Sequence, residues 1–226
     1  MVKLRLSPSI LTADFARLGE EVRSVEPFVD WFHLDVMDGN YVDNISFGPD
    51  VVAAIARTVD VPLHVHLMID EPGRYAGRFA AAGARRISFH PEVTPDPLGV
   101  IQLIEEAGAE PGIAVHPDRG LEVLDDYVSR LAGVIMMTVR PGFGGQAFIH
   151  EVVPKISEAR DIIARHGAST EVEIDGGVNL ATVDAAVAAG GEILVVGSGV
   201  FDGKDAPRAA RAMREHLDAI AERLSA

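Results

Sequence analysis

The chain has 226 residues, 48% of them hydrophobic, with no cysteine and a formal net charge of −14 at pH 7. The missing cysteine excludes disulfides and thiolate nucleophiles, and the acidic balance argues against nucleic acid or an anionic membrane as the main partner. We expect a soluble, cytoplasmic protein, because no apolar run approaches the roughly 20 residues that cross a bilayer and the N-terminus does not look like a signal peptide.

Short apolar runs alternate with helical patterns along the whole chain. Apolar residues three or four apart between the runs indicate helices, for which aspartates 14 and 118 and Asn179 are candidate starts. Glycines 83, 108, 167 and 190 are candidate helix ends. The apolar runs predict eight β-strands, at 4–9, 31–36, 62–68, 86–90, 111–116, 133–139, 171–175 and 193–198.

Eight strand and helix units in one chain of this length predict a single α/β domain, residues 1–226, folded as a closed (β/α)8 TIM barrel. The alternative is an open doubly wound sheet, which usually carries a glycine fingerprint after its first strand. Here the first strand ends in SPSILTAD, without glycine. In barrels, catalytic groups lie at the carboxyl ends of the strands, so polar residues there are the candidates.

Four polar residues fall at such positions. His33 and Asp35 alternate with apolar residues along the second predicted strand, so both face one side of it. His66 lies near the end of the third strand, and Asp175 ends the seventh. Two imidazoles and two carboxylates suit one divalent cation such as Zn, Fe, Mn or Co, which would also compensate the buried carboxylates. Hydrogen-bonded interior polar residues without a cation are the alternative.

Two further histidines also end predicted strands. His90 and His116 close the fourth and fifth strands, and a proline follows each of them. A role in turns or in support of the ligands is at least as well indicated as catalysis. We therefore leave both out of the predicted cation ligands.

Three neighbouring loops are rich in glycine: PGFGGQ (141–146), DGG (175–177) and GSG (197–199). Glycine lets backbone N–H groups approach an anion, and barrels commonly bind phosphate in the loops after strands seven and eight. Lysine occurs only at positions 3, 155 and 204, none inside a predicted strand, which argues against a Schiff-base aldolase. A phosphate here would rely on backbone dipoles, with Arg140 as a candidate cation.

The second and seventh strands are three steps apart around a ring of eight, so Asp35 and Asp175 would approach a central ligand from different sides. For a phosphorylated ketose, one aspartate would take the proton beside the carbonyl and the other would return one to the opposite face. A cation would stabilise the enediolate between the two steps. The predicted reaction is epimerisation.

Seven motifs resemble those of the ribulose-phosphate 3-epimerase family. They are SPSILTADFARLG, FHLDVMDGNYVDNISFGP, HVHLM, FHPE, MTVRPGFGGQ, EIDGGVN and VVGSGVF, in order from residue 7 to about residue 201. The resemblance implies a metal-dependent (β/α)8 enzyme that interconverts D-ribulose 5-phosphate and D-xylulose 5-phosphate in the pentose phosphate pathway. Barrels of this family are generally oligomeric, so we expect at least a homodimer.

The resemblance also implies roles for individual residues. The metal ligands would be His33, Asp35, His66 and Asp175, with Asp35 as proton acceptor and Asp175 as proton donor in one direction. Methionines 37, 68 and 137 would form the pocket wall, although the sequence alone indicates ordinary core residues. The substrate-binding residues would be Ser7, His66, Gly142, Phe143, Gly144, Gly145, Asp175, Gly176, Gly177, Gly197 and Ser198.

The chain departs from the family pattern at two positions. His64 stands where the family usually has aspartate, and Asp43 where it usually has proline. By alternation His64 faces the metal side, so we hypothesise that it alters the hydrogen bonding around the ligands; an unchanged pH profile in His64→Asp would contradict this.

Three other functions stay open. One is an epimerase of a longer ketose phosphate such as allulose 6-phosphate. Another is a barrel metal hydrolase using the HVH pair, although such enzymes usually carry their histidine pair on the first strand. The third is a non-catalytic phosphate-binding protein.

Overall fold

All eight predicted strands form, each within two residues of its predicted bounds. The computed structural model describes residues 3–225. The strands are β1 (Arg5–Pro8), β2 (Phe32–Met37), β3 (Leu63–Met68), β4 (Ala84–Phe89), β5 (Glu110–Val115), β6 (Gly133–Met137), β7 (Glu171–Asp175) and β8 (Ile193–Val196).

The strands pair in parallel in the order β1-β8-β7-β6-β5-β4-β3-β2. The remaining gap lies between β1 and β2. It is bridged where Ser9 pairs with His33 and where the Asp30 N–H donates to the Leu6 carbonyl at 2.9 Å. The ring confirms the predicted (β/α)8 barrel and excludes the open doubly wound sheet.

Helices cover the outside of the barrel. Within residues 3–225, none of them combines the length and apolar character of a membrane-crossing segment. Short 3-10 helices span Ile10–Thr12, Phe15–Arg17, Glu26–Phe28, Pro91–Val93, Val128–Arg130 and His150–Val152. The α-helices are α1 (Leu18–Val25), α2 (Pro49–Ala56), α3 (Pro72–Ala81), α4 (Pro97–Glu106), α5 (Glu122–Tyr127), α6 (Val153–Arg165), α7 (Val183–Ala188) and α8 (Ala206–Ser225).

The predicted helix boundaries are mostly confirmed. Asp14 caps a helical turn by accepting from the Ala16 N–H at 3.0 Å, and all four predicted terminal glycines have positive φ. Asn179 lies in the turn before α7, not directly at its start. The prediction for Asp118 is wrong, because its side chain pairs with Arg140 and α5 begins only at Glu122.

The barrel interior is filled by layers of polar side chains and by a small apolar cluster of Ala114, Ile135, Met137 and Val139, whereas the outer faces of the strands pack against the helices. Leu34 on β2 belongs to the large apolar core and is fully buried. At the amino ends of the strands, Arg86 contacts Glu110 at 3.1 Å and Glu171 at 2.7 Å. Higher layers bring histidines and carboxylates of β2, β3 and β7 together. This alternation places the predicted site residues at the upper end of the barrel.

Candidate active site

The four predicted cation ligands converge. Nε2 of His33 lies 3.3 Å from Asp35 Oδ1 and 3.6 Å from Asp175 Oδ2. Nδ1 of His66 lies 3.3 Å from the same oxygen of Asp35 and 3.5 Å from that of Asp175. All four side chains are buried, and their ligand atoms lie within 4.8 Å of one another. We call this set the cation cluster.

The four nitrogen–oxygen distances suit a single divalent cation. Ligand atoms about 2.0–2.1 Å from a central cation are about 3.3–3.4 Å apart in a tetrahedron. The facing nitrogens, Nε2 of His33 and Nδ1 of His66, have no hydrogen-bond partner within residues 3–225. Buried polar atoms are normally satisfied, so two unpaired nitrogens aimed at two carboxylates are what a cation site requires. The residues present therefore fit a zinc-like divalent cation.

The electrostatics of the cluster also favour a cation. Burial lowers the pKa of His33, but the charges of Asp35 and Asp175 outweigh it and raise the pKa well above its usual range. Burial lowers the pKa of His66 as well, but its contacts with Asp175 and Asp35 outweigh this and raise the pKa above its usual value. Burial raises the pKa of Asp35, yet His33 and His66 together bring it below its usual range. The Asp35 carboxylate thus stays ionised and attracts positive charge to this point.

Glu173 lies one layer below the cluster and was not predicted. Burial raises its pKa, but His64 and His33 bring the pKa below its usual range, so the carboxylate is ionised and accepts hydrogen bonds. Nδ1 of His33 donates to it at 2.9 Å, which leaves Nε2 free to face the cluster. The period-two pattern could have revealed it, since Glu173 shares the face of Asp175 on β7.

His64 faces the interior, as predicted, but it lies in the layer of Glu173. Its Nδ1 is 2.8 Å from Glu173 Oε2, and its Nε2 is 2.8 Å from the Ser88 hydroxyl. The ring centroids of His64 and His33 are 5.2 Å apart. Burial lowers the pKa of His64 to about 4, so the ring is neutral near pH 7. Any effect of His64 on the cluster passes through Glu173 and His33.

A cavity with an empty volume of about 550 Å³, including its open mouth, lies above the cluster. Asp35 and Asp175 form part of its floor, and the predicted methionines 37, 68 and 137 form part of its wall. The other predicted substrate-binding residues on its lining are Gly142, Phe143, Gly144, Gly145, Gly176, Gly177, Gly197 and Ser198.

The structure does not bring Ser7 to this cavity. Ser7 is fully buried on β1, and its hydroxyl has no hydrogen-bond partner within the described residues. Ser9, on the same side of the strand but one layer higher, lines the cavity and donates to Asp35 Oδ2 at 2.5 Å. Ser9 therefore occupies the position that was expected for Ser7.

Backbone geometry explains the glycine pair after β7. Gly176 and Gly177 have φ values of 119° and 65°, which side chains other than glycine rarely adopt. A Cβ at Gly177 would also lie 2.5 Å from the backbone nitrogen of Phe148. The two glycines let the chain turn sharply after Asp175 and bring its backbone to the cavity wall.

Arg140 is the one positively charged residue among the described residues that line the cavity. It is strongly exposed, and its guanidinium pairs with Asp118 at 3.2 Å. Its charge is therefore partly compensated before any ligand binds. An anion in this cavity would meet mainly glycine backbone, in agreement with the sequence prediction.

The loop after β2 lies beside this cavity. Asn44 donates from its side chain to the Gly142 carbonyl at 2.8 Å, so this loop is joined to the glycine-rich loop after β6. Val42 is buried, whereas Asp43 is exposed. The aspartate that replaces the usual proline thus points away from the cation cluster.

His90 and His116 occupy different positions. His90 is fully buried behind His66, with 3.0 Å between their Nε2 atoms. His116 is partly exposed and lies 3.9 Å from Asp118. Neither residue belongs to the cation cluster, as predicted.

The fold and the site together define a barrel enzyme with a histidine and aspartate cation cluster beneath a glycine-lined cavity. Residues 5–201 match the model of the Ribulose-phosphate 3 epimerase family. The chain belongs to this family and is accordingly an epimerase, an enzyme of the isomerase class.

Two curated relatives illustrate the match. The ribulose-phosphate 3-epimerase of Bacillus subtilis (strain 168) is 44% identical over 213 residues, covering 93% of this chain and 98% of the relative. The chloroplastic ribulose-5-phosphate-3-epimerase of Arabidopsis thaliana is 42% identical over 212 residues, covering 92% of this chain and 75% of the relative.

Solved structures with low sequence identity share the fold. KGPDC from Streptococcus mutans in complex with D-R5P superimposes with a TM-score of 0.77 at 16% identity, covering 96% of this chain and 98% of that one. At this identity the likeness supports the barrel fold alone.

Proposed function

We propose that the protein interconverts D-ribulose 5-phosphate and D-xylulose 5-phosphate, with a divalent cation held by His33, Asp35, His66 and Asp175. One observation carries the proposal. Asp35 and Asp175 meet at the cavity floor with 5% and 8% of their surface exposed, while both histidines are fully buried. The carboxylates can therefore reach a substrate in the cavity, and the imidazoles can reach only the cation.

The two aspartates carry the proton transfers. In the direction from ribulose to xylulose phosphate, Asp35 takes the proton from C3 and Asp175 delivers one to the opposite face, which inverts that carbon. The hydrogen bond from Ser9 orients the carboxylate of Asp35 for this step. When bound, the cation supplies positive charge that stabilises the negative charge developing on the carbonyl and neighbouring hydroxyl oxygens of the substrate.

The remaining cavity residues bind and shield the substrate. The glycine loops after β6, β7 and β8 offer backbone N–H groups to the phosphate, with Ser198 as a side-chain donor. Met37, Met68 and Met137 surround the reacting carbon with apolar surface, which keeps water from protonating it on either face. Phe143 and its neighbouring glycines lie at the mouth of the cavity.

The proposal is tested by incubating the cation-loaded protein with D-ribulose 5-phosphate in D2O and following the products by NMR. We expect D-xylulose 5-phosphate carrying deuterium at C3. Faster turnover of allulose 6-phosphate in the same assay would reassign the substrate. Binding of the sugar phosphates without turnover would instead indicate a binding protein and overturn the proposal.

A homo-oligomer of at least two chains and a cytoplasmic location stay predictions. Sedimentation of the purified protein at micromolar concentration measures the number of subunits. A monomer at that concentration would contradict the expected oligomer.

A further inference from the structure

A row of side chains leads from the cation cluster to the loop after β2. Nε2 of His66 lies 3.0 Å from Nε2 of His90, and Nδ1 of His90 lies 3.5 Å from Oε1 of Glu92. The same oxygen accepts a hydrogen bond from the Tyr41 hydroxyl at 3.0 Å. The ring centroids of Tyr41 and His90 are 4.8 Å apart, and those of His90 and His66 are 5.1 Å apart. The rings in this row therefore pack against one another, in addition to their polar contacts.

The contact between the two histidines needs one proton between the two Nε2 atoms, and there are two ways to supply it. In the first, His66 donates from Nε2 and its Nδ1 can carry a lone pair toward the cation cluster. In the second, His90 donates from Nε2, so a neutral His66 carries its proton on Nδ1. Only the first arrangement allows His66 to bind a cation through Nδ1.

Glu92 distinguishes these two arrangements. Burial raises the pKa of Glu92, but its contact with His90 and the hydrogen bond from Tyr41 bring the pKa to about 2, so the carboxylate is ionised. Nδ1 of His90 has no hydrogen-bond partner within residues 3–225, and the Glu92 carboxylate 3.5 Å away favours a proton on that nitrogen. A neutral His90 then has its lone pair on Nε2 and accepts from His66, which is the first arrangement.

We propose that Glu92 is a positioning residue of the cation site, which acts through His90 to select the tautomer of His66 that presents Nδ1 to the two aspartates. This inference rests on the proposed cation site. Tyr41 holds the carboxylate of Glu92 from the loop after β2, so the seating of that loop contributes to the same arrangement. The side chain of Glu92 is 22% exposed, and Glu92 is not among the buried residues.

The test compares Glu92→Ala, the conservative variant Glu92→Gln and the control Glu122→Ala. Gln keeps an oxygen that can accept from His90, and Glu122 is an exposed acidic residue at the same end of the barrel. Two quantities are measured. They are the ¹⁵N chemical shifts of the His90 ring in the cation-free protein, at a pH high enough to leave His66 neutral, and the affinity for Co²⁺ alone by chelator competition.

In the wild type we expect the His90 proton on Nδ1. Glu92→Ala should shift the proton population toward Nε2 and weaken Co²⁺ binding about tenfold, the lower end of the range for partners of metal ligands. Glu92→Gln should restore most of both, and Glu122→Ala should change neither. Unchanged ring shifts and unchanged Co²⁺ affinity in Glu92→Ala would overturn the role of Glu92, as would an equal loss of affinity in Glu122→Ala. A wild type that binds no Co²⁺ would overturn the cation site itself. The ring shifts of His90 are measured without Co²⁺, so they distinguish that failure from a failure of Glu92 alone.

Discussion

Nδ1 of His33 lies 2.9 Å from Oε1 of Glu173, directly below the cation cluster. Because the carboxylate accepts this proton, the other nitrogen of His33 is the one that faces Asp35 and Asp175 and can bind a cation. Carboxylate partners of this kind fix the ring orientation and raise the basicity of a metal-binding histidine.

Replacing Glu173 with Gln should therefore weaken the binding of Co²⁺ about 10- to 100-fold, because the acceptor beneath His33 loses its charge. Chelator competition measures the affinity. Glu171→Gln makes the same chemical change on the same strand, but two layers below the cluster, and should leave the affinity unchanged. Equal affinities in wild type and Glu173→Gln would contradict the role of this contact.

The ion pairs of Glu171 predict how the stability of the protein depends on pH. Burial raises its pKa, but hydrogen bonds from Arg5 and Arg86 outweigh this and lower the pKa below its usual value. Its contribution to stability is therefore present above about pH 4.3, the usual pKa of glutamate, and is lost as the pH falls through the lower pKa of the folded state.

Glu171→Gln should lower the free energy of unfolding by about 2 kcal/mol at pH 7, because Arg86 is nearly buried and, among the described residues, keeps only Glu110 as an ion-pair partner. Urea unfolding at a series of pH values measures the difference between the two proteins. The difference should shrink as the pH falls below about 4. A difference that stays constant down to pH 3 would contradict the assignment.

The backbone after β7 gives a second stability prediction. Gly177 and Gly203 have similar φ values, 65° and 77°. A Cβ at Gly177 would collide with Phe148, whereas a Cβ at Gly203 would have no atom within 4 Å. Ala at Gly203 should cost about 1 kcal/mol, the conformational penalty alone. Ala at Gly177 should cost about 1–3 kcal/mol more, because the backbone must move. Equal losses of unfolding free energy in the two variants, measured by urea unfolding, would show that the close approach to Phe148 does not affect stability.

The sequence prediction and the structure differ over two serines, Ser7 on β1 and Ser9 directly after β1. Ser9 donates to the proposed base Asp35, whereas Ser7 is buried below it without a partner among the described residues. Ser9→Ala should lower kcat about 10- to 100-fold, the range for a lost hydrogen bond to a charged group. Ser7→Ala should retain nearly the parental kcat. The opposite order of effects in steady-state assays would support the role first expected for Ser7.

The strand pattern predicted the cation cluster because side chains alternate strictly along a strand. This rule predicts interior faces for His33, Asp35 and His66, whereas Asp175 is predicted from its position at the end of its strand. Their convergence follows from the closed ring. Glu173 obeys the same rule but was missed, since a glutamate one layer below the strand end carries no motif of its own. Its importance depends on the histidines of β2 and β3, which only the folded barrel brings near.

Other errors came from features that strand periodicity does not encode. Ser7 and Ser9 share a face, and the depth at which each lies depends on how β1 is staggered against β8. Aspartate is a common residue at helix starts, but the side chain of Asp118 forms an ion pair with Arg140 in the loop after β6. Both outcomes depend on contacts between residues far apart in the chain.

The central claim is that Asp35 and Asp175 exchange protons with opposite faces of the same carbon. The most direct measurement incubates the cation-loaded Asp175→Asn variant with D-ribulose 5-phosphate in D2O, with metal content measured alongside. Because Asp35 can still remove and return its proton, we predict deuterium at C3 of the recovered ribulose 5-phosphate and no xylulose 5-phosphate. Formation of xylulose 5-phosphate at the parental rate by the metal-loaded variant would contradict the account.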